Sequence, residues 1–333
     1  MALIRIGTRG SALALWQTRY IAARLNVLAQ DLKVEVVEIV STGDRITDVP
    51  LSSVEGTGFF TATLERALVE GRVDVAVHSY KDLPVEPTPG LSVAAVPARG
   101  PVEDALCARD GLTLARLPAG ARVGTCSARR TAQVLARRPD VEIHPLRGNV
   151  PTRVQRVTSG ELDAIVLARA GLVRLGLDAH VTEVFPTDVV LPAPAQGALA
   201  VQCRTNEPEL LHLLAALDDT STRRAVIAER TLLHALGGGC SVPVGAIAVC
   251  TRSQLTLAAG VFTLDGTRGI RVEERGTDAS ALGEAAARRL LAQGAGEILG
   301  AWHGGPDIDA VPAREADTAS NPGRPCRAPS STP

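Results

Sequence analysis

Strand and helix alternate along this chain, and the alternation completes one round before it begins again. Residues 3–8 (LIRIGT) read as a short strand, and 12–29 as an amphipathic helix behind Ser11, a hydroxyl suited to capping a helix N-terminus. Residues 34–41 alternate like a strand, Phe60 to Glu70 reads as a helix stopped by Gly71, and 73–78 (VDVAVH) is a third strand. A β-α-β-α-β order demands crossover connections, so it predicts a parallel sheet with right-handed crossovers. The order restarts with strand 121–125, helix 128–137, strand 141–146, helix 151–159 and strand 163–168. Two like α/β units in series imply a cleft between them.

LPAPAQG (191–197) closes the second unit, and ALAVQC (198–203) offers one more strand that can return to the first sheet. Helices at 207–217 and 221–236, two or three strands between 242 and 275, and a helix near 278–293 make a smaller α+β unit. The expected domains are 1–97 with 198–216, then 103–191, then 220–303. From Gly304 onward six of thirty residues are proline, so 304–333 is expected to be a disordered tail. At 45% hydrophobic residues over 333 positions, each unit can bury a core. No apolar run reaches the ~18 residues of a membrane span, and the N-terminus has no secretory pattern. Six cysteines without a CxxC pair fit a reducing compartment, and a cytoplasmic location is expected. A net charge of -1 and 2% aromatics argue against nucleic-acid or membrane partners.

Three strand ends carry one device. Thr8-Arg9-Gly10-Ser11, Thr125-Cys126-Ser127-Ala128-Arg129-Arg130 and Arg147-Gly148-Asn149-Val150-Pro151-Thr152-Arg153 each follow a strand and open a helix, Pro151 suiting a first turn. A helix N-terminus is already electropositive, so arginine there is electrostatically backwards unless an anion docks between amides, hydroxyls and guanidinium forks. Ten arginines and four acids lie between Arg122 and Arg174. An anionic ligand at the carboxyl ends of the strands accounts for all of this, and carboxylates and phosphates satisfy it equally.

A second cluster, His78-Ser79-Tyr80-Lys81-Asp82-Leu83-Pro84, ends an apolar strand in ionisable groups. There Asp82 can stabilise a developing cation or pass a proton, and Lys81 can bind an anion. The third, Leu236-Gly237-Gly238-Gly239-Cys240-Ser241-Val242-Pro243, presents Cys240 on a glycine-rich loop after a helix. No histidine or cysteine spacing fits a metal site, and neither GxGxxG after the first strand nor a P-loop is present.

Six segments together resemble the porphobilinogen deaminase (hydroxymethylbilane synthase) family: IRIGTRGSALALWQT, VDVAVHSYKDLPVE, VGTCSARR, LRGNVPTR, LPAPAQGALAVQCR and AERTLLHALGGGCSVPVGA. The resemblance runs from about residue 3 to 303. It implies two periplasmic-binding-protein-like α/β domains flanking a cleft, plus a smaller α+β C-terminal domain. It also implies a dipyrromethane cofactor joined by a thioether to Cys240, no metal, and a monomeric enzyme. The implied reaction condenses four porphobilinogen molecules head to tail with release of ammonia, then hydrolyses the linear tetrapyrrole free. By resemblance Asp82 is the catalytic carboxylate beside the cation left when ammonia departs. Lys81, Ser79, Thr125, Ser127, Arg129, Arg130 and Gly148 fall at cofactor-binding positions. Arg9, Gln17, Arg147, Arg153 and Asp44 fall at substrate-binding or cleft-entrance positions.

Three positions depart from the family pattern. Ser53 and Thr57 stand where relatives often carry lysine, in a loop the resemblance makes a mobile lid, and Cys126 stands where serine is common. Two other classes remain on the residues alone. A Cys–His hydrolase would need the fold to bring a histidine to Cys240. A non-catalytic anion-binding clamshell would have no need of Asp82 or Cys240.

Overall fold

The computed structural model describes residues 3–39, 59–239 and 242–303. Its first sheet begins with β1 (Leu3–Thr8), β2 (Lys33–Glu38), β3 (Val75–Ser79) and β4 (Leu91–Ala95), with helices α1 (Ala12–Leu28) and α2 (Phe59–Val69) between strands. The second contains β5 (Asp104–Ala108), β6 (Arg122–Gly124), β7 (Glu142–His144), β8 (Ala164–Ala168) and β9 (Glu183–Val184). Its helices are α3 (Ala128–Leu135), α4 (Val150–Thr158) and α5 (Arg169–Arg174). The chain then returns through β10 (Leu199–Arg204) to the first sheet.

The two sheets share one plan. Their orders are β2-β1-β3-β10-β4 and β7-β6-β8-β5-β9. In each, three strands run parallel, the fourth runs antiparallel, and the edge strand reverses again. The sheets are therefore mixed rather than parallel as expected. The antiparallel members, β5 and β10, are the strands by which the chain enters one sheet from the other. Their partners β3 and β8 are buried runs (VAVHS and AIVLA), as strands covered on both faces must be. On α1 the buried positions Gln17, Thr18, Ile21 and Leu25 form one helical face, and Ser11 caps the first turn by accepting from the Ala14 amide at 3.3 Å.

Helices α6 (Pro208–Ala215) and α7 (Thr220–Ala235) lead into an antiparallel sheet of β11 (Val244–Thr251), β12 (Gln254–Phe262) and β13 (Gly269–Gly276). Helices α8 (Ala279–Ala292) and α9 (Ala295–His303) follow. Leu232 of α7, Leu255, Leu257 and Val261 of β12 and Leu290 of α8 form the centre of this third core. Two α/β sheets and a smaller α+β unit match the expected architecture. Strands β4, β5 and β9 and helices α5 and α9 were not expected. The proposed tail, with Asp44, Ser53, Thr57 and Cys240, lies outside the described residues. Among the described residues no helix is long and apolar enough to cross a membrane.

Two crossover segments join the sheets and touch each other. The Gly100 amide donates to the Gly197 carbonyl at 3.1 Å, and Arg174 donates to the same oxygen at 2.6 Å. Gly197 has φ +85°, and a Cβ there would lie 2.5 Å from the Pro101 carbonyl oxygen. Both the backbone angle and the close approach require glycine. Gly197→Ala is expected to cost about 2 kcal/mol or more, as both strain and displacement of the partner segment follow. Urea unfolding of the two proteins measures it.

Candidate active site

Strand β3 ends at Ser79 and turns at once through a single 3-10 turn, Tyr80–Asp82. Gln17, buried on α1, donates to the Ser79 hydroxyl at 2.8 Å, so two predicted site residues meet. Asp82 is exposed, as a carboxylate that must reach a ligand should be. His78 is not available for acid–base work. It is buried, bonded at 3.0 Å to Gln202, which donates to Glu65 at 2.8 Å, and burial pulls its imidazole down to about 4. It is a neutral core residue at neutral pH.

From Lys81 a polar chain crosses to the second sheet. Its ammonium donates to Gln196 at 3.2 Å, and the Gln196 amide donates to Val102 O at 2.8 Å and to Asp104 at 3.0 Å. Asp104 opens β5 and is fully buried, held by Arg129 at 2.6 Å and by Arg130 at 2.7 and 3.0 Å. Burial alone would raise the Asp104 carboxyl. The two guanidiniums outweigh it and hold the group far below the usual carboxylate range. Burial, the largest cause, draws the Lys81 ammonium down to about 8, with Asp82 opposing and Arg130 reinforcing. Arg129 and Arg130, expected to offer their forks to a ligand, are thus largely committed to Asp104, Leu191 O and Val166 O.

The loops of the second sheet complete the cleft. Asn149 caps α4 by accepting from the Thr152 amide at 3.0 Å, and Pro151 occupies the first turn. Gly148 has φ +97° and lets the loop turn sharply before it. Arg153 donates to the Gly148 carbonyl at 2.7 Å, and no carboxylate among the described residues pairs with it. Burial lowers its guanidinium, Arg130 adds to this, and Cys126 and Asp82 oppose it, so Arg153 shares a field with the turn that carries Asp82. Thr125 is buried and accepts from the Ser127 amide at 3.2 Å, so Ser127 caps nothing with its own hydroxyl. The Cys126 thiol takes a bond from the Leu146 amide at 3.0 Å and reaches Leu146 O at 3.3 Å, joining two of these loops. Arg9 and Arg147 are half-buried at the ends of β1 and β7.

Sequence reasoning missed Asp104 and Gln196. Asp104 left one signal, an acid opening an apolar strand (DALCA), which a chain buries only with partners. Arg130 acts electrostatically on Lys81, Arg129 and Arg153, so four cations lie in one field, opposed among the described residues by Asp82, Asp104 and Cys126. Such a group of cations suits a ligand bearing carboxylates, as a dipyrromethane does. Among the described residues no cluster could hold a metal ion.

Fold and site define a two-sheet α/β protein with a cluster of cations joining its sheets, an exposed carboxylate beside it, and a glycine-rich loop (Gly237–Gly239) leaving α7. Comparison with known proteins gives the class a name. A family model for the porphobilinogen deaminase dipyromethane cofactor binding domain matches residues 4–212, and one for the C-terminal domain of the same enzymes matches residues 223–292. Porphobilinogen deaminase of Brevibacillus brevis is 46% identical over 296 residues, covering 89% of this chain and 96% of that protein. Its counterpart from Mycolicibacterium paratuberculosis is 50% identical over 313 residues, covering 90% and 98%. A solved structure with a similar backbone is the VFT2 domain of Bordetella pertussis BvgS, at 15% identity and TM-score 0.39, covering 69% of this chain and 92% of that one. The chain belongs to the porphobilinogen deaminase family, transferases of tetrapyrrole biosynthesis with a dipyrromethane cofactor.

The Lys81 ammonium is charged below about pH 8 and neutral above it. If it receives a substrate carboxylate, kcat/KM for porphobilinogen falls as pH rises past that point, because kcat/KM reports the free enzyme. In Lys81→Arg the alkaline limb disappears, since guanidinium stays charged. A pH–rate profile of both proteins checks this.

Proposed function

We propose that this chain condenses four porphobilinogen molecules head to tail in the cleft between the two sheets. Ammonia leaves at each step, and the linear tetrapyrrole is hydrolysed off as hydroxymethylbilane. Asp82 is the catalytic residue. Loss of ammonia from the substrate leaves a cation, and a fixed carboxylate beside the pyrrole nitrogens stabilises it. The observation that carries this reading is the exposed Asp82, which acts electrostatically on both Lys81 and Arg153.

Cys240 would anchor the dipyrromethane by a thioether, with Lys81, Ser79, Thr125, Ser127, Arg129, Arg130 and Gly148 around it. When bound, that group supplies the pyrrole carbon to which the first new ring is joined. Arg129 and Arg130 act from a frame braced by Asp104. Arg9, Gln17, Arg147, Arg153 and Asp44 receive substrate and the growing polycarboxylate. Arg153 suits this best, having no carboxylate partner among the described residues. The domains we assign are 1–97 with 198–216, 103–191 and 220–303; the return of β10 to the first sheet supports the discontinuous first domain. We take the enzyme to be a cytoplasmic monomer. Free thiols at Cys107, Cys126, Cys203 and Cys250 support a reducing compartment. No observation favours a non-catalytic anion binder.

Two variants test the assignment. Asp82→Ala should lower kcat by about a hundredfold or more with little change in melting temperature, because the side chain is exposed. Wild-type turnover in that protein would remove Asp82 from the mechanism. Intact mass under denaturing conditions should show two linked pyrrole units on the wild type and none on Cys240→Ser.

A further inference from the structure

Arg230 lies on α7, in the third unit, yet its guanidinium reaches the catalytic turn of the first. It donates to the carbonyls of Tyr80 at 3.3 Å, of Leu83 at 3.0 Å and of Pro84, and it stacks 4.5 Å from the centre of the Tyr80 ring. Those carbonyls flank Lys81 and Asp82. The turn itself closes weakly, with the Leu83 amide 3.3 Å from Tyr80 O. A planar cation with several donors in fixed directions suits a grip on three carbonyls in one turn.

Two further contacts lie along the same attachment. His234, one helical turn beyond Arg230, is 3.1 Å from Glu86, and Val85 packs against the core of the third unit. The preceding residue, Glu229, points elsewhere: it is buried, chelates Arg99 of the crossover, and accepts from the Ala195 and Ala248 amides. Adjacent residues of α7 thus hold the crossover and the catalytic turn. Five residues past the end of α7 comes Cys240.

We infer that Arg230 is a positioning residue, fixing the turn that bears Asp82 to the helix that leads into the anchor cysteine; this rests on the assignment of Asp82 above. It acts on Asp82 through the main-chain carbonyls of the turn and the Tyr80 ring. Its effect is to hold the cation-stabilising carboxylate at a constant place relative to the point from which the pyrrole chain grows, where displacements of an ångström matter.

Hydrogen exchange and kinetics on the full chain test it together, with Arg230→Gln beside Asp82→Ala. In Arg230→Gln the amides of 80–86 should exchange faster while β1 and β11 keep wild-type rates and the covalent mass on Cys240 is retained. Turnover should fall about tenfold or more with KM within about twofold, the signature of lost transition-state placement. Arg230→Lys, which keeps the charge and the ring contact, should recover part of both. Unchanged exchange at 80–86, or wild-type turnover where Asp82→Ala is inactive, would overturn the inference. So would faster exchange throughout both Arg230 variants, which would make it a general stabilising residue. Should Asp82→Ala prove active, the assignment of Asp82 fails, and local exchange at 80–86 still decides whether Arg230 holds the turn.

Discussion

A carboxylate with no exposure to solvent, Asp104, receives two arginines at once, and the rest of the site is arranged around that fact. Desolvating three charges costs several kcal/mol each, so such a cluster persists only when hydrogen bonds saturate it. Here they do. Both carboxylate oxygens are used, Gln196 adds a third donor group, and the guanidiniums also reach main-chain carbonyls on β8 and at Leu191. The outcome is a fixed arrangement in which β5, α3 and the returning crossover share one ion cluster. Removing Asp104 would leave two buried guanidiniums facing each other without an anion, and removing Arg129 would strip one carboxylate oxygen of its charged donor, which is why the cluster functions as a unit.

A second buried acid repeats the device at the other joint. Glu229 chelates Arg99, whose Nε donates to the Gln196 carbonyl, and accepts two main-chain amides. Gln196 therefore belongs to both clusters, through its side chain to Asp104 and through its backbone to Arg99. Gln196, with no exposed surface, bonds directly to the first two units and reaches the third through Arg99 and Glu229. Apolar packing alone would let these units slide, because it is non-directional. Directional bonds to buried charges set how they meet. The same glutamine accepts from the Lys81 ammonium, so the joint is bonded to the turn that carries Asp82.

Much of this was legible in the sequence, and the part that was not has a common cause. Alternating strand and helix patterns located β1, β2, β3, β6, β7 and β8 and the helices between them. The return of ALAVQC to the first sheet followed from its place after the second unit. Strands β4, β5 and β9 escaped because they stand outside the strand–helix alternation: no α-helix separates β3 from β4 or β4 from β5, and β9 follows the short, unexpected α5. Arginine at a helix start points to an anion, and the structure adds an internal one: Arg129 and Arg130 meet Asp104, some twenty-five residues upstream. Local sequence cannot show a partner that only the sheet topology brings near, and β5 was among the unread strands.

The arginine bias of the chain changes what this cleft can do. With 33 arginines and two lysines among its 35 basic residues, nearly all of its positive field is carried by guanidinium, which keeps its proton even under heavy burial. Arg129, Arg153 and Arg174 are all lowered by burial, and Arg174 still lies near 10. A field of that kind does not weaken over the range in which enzymes work. Lys81 is the exception, since an ammonium in the same surroundings drops to about 8. Its charge is conditional on what occupies the cleft. An incoming carboxylate restores the proton affinity that burial removed, so protonation and ligand binding reinforce each other at this one position, while the arginines hold the background potential constant.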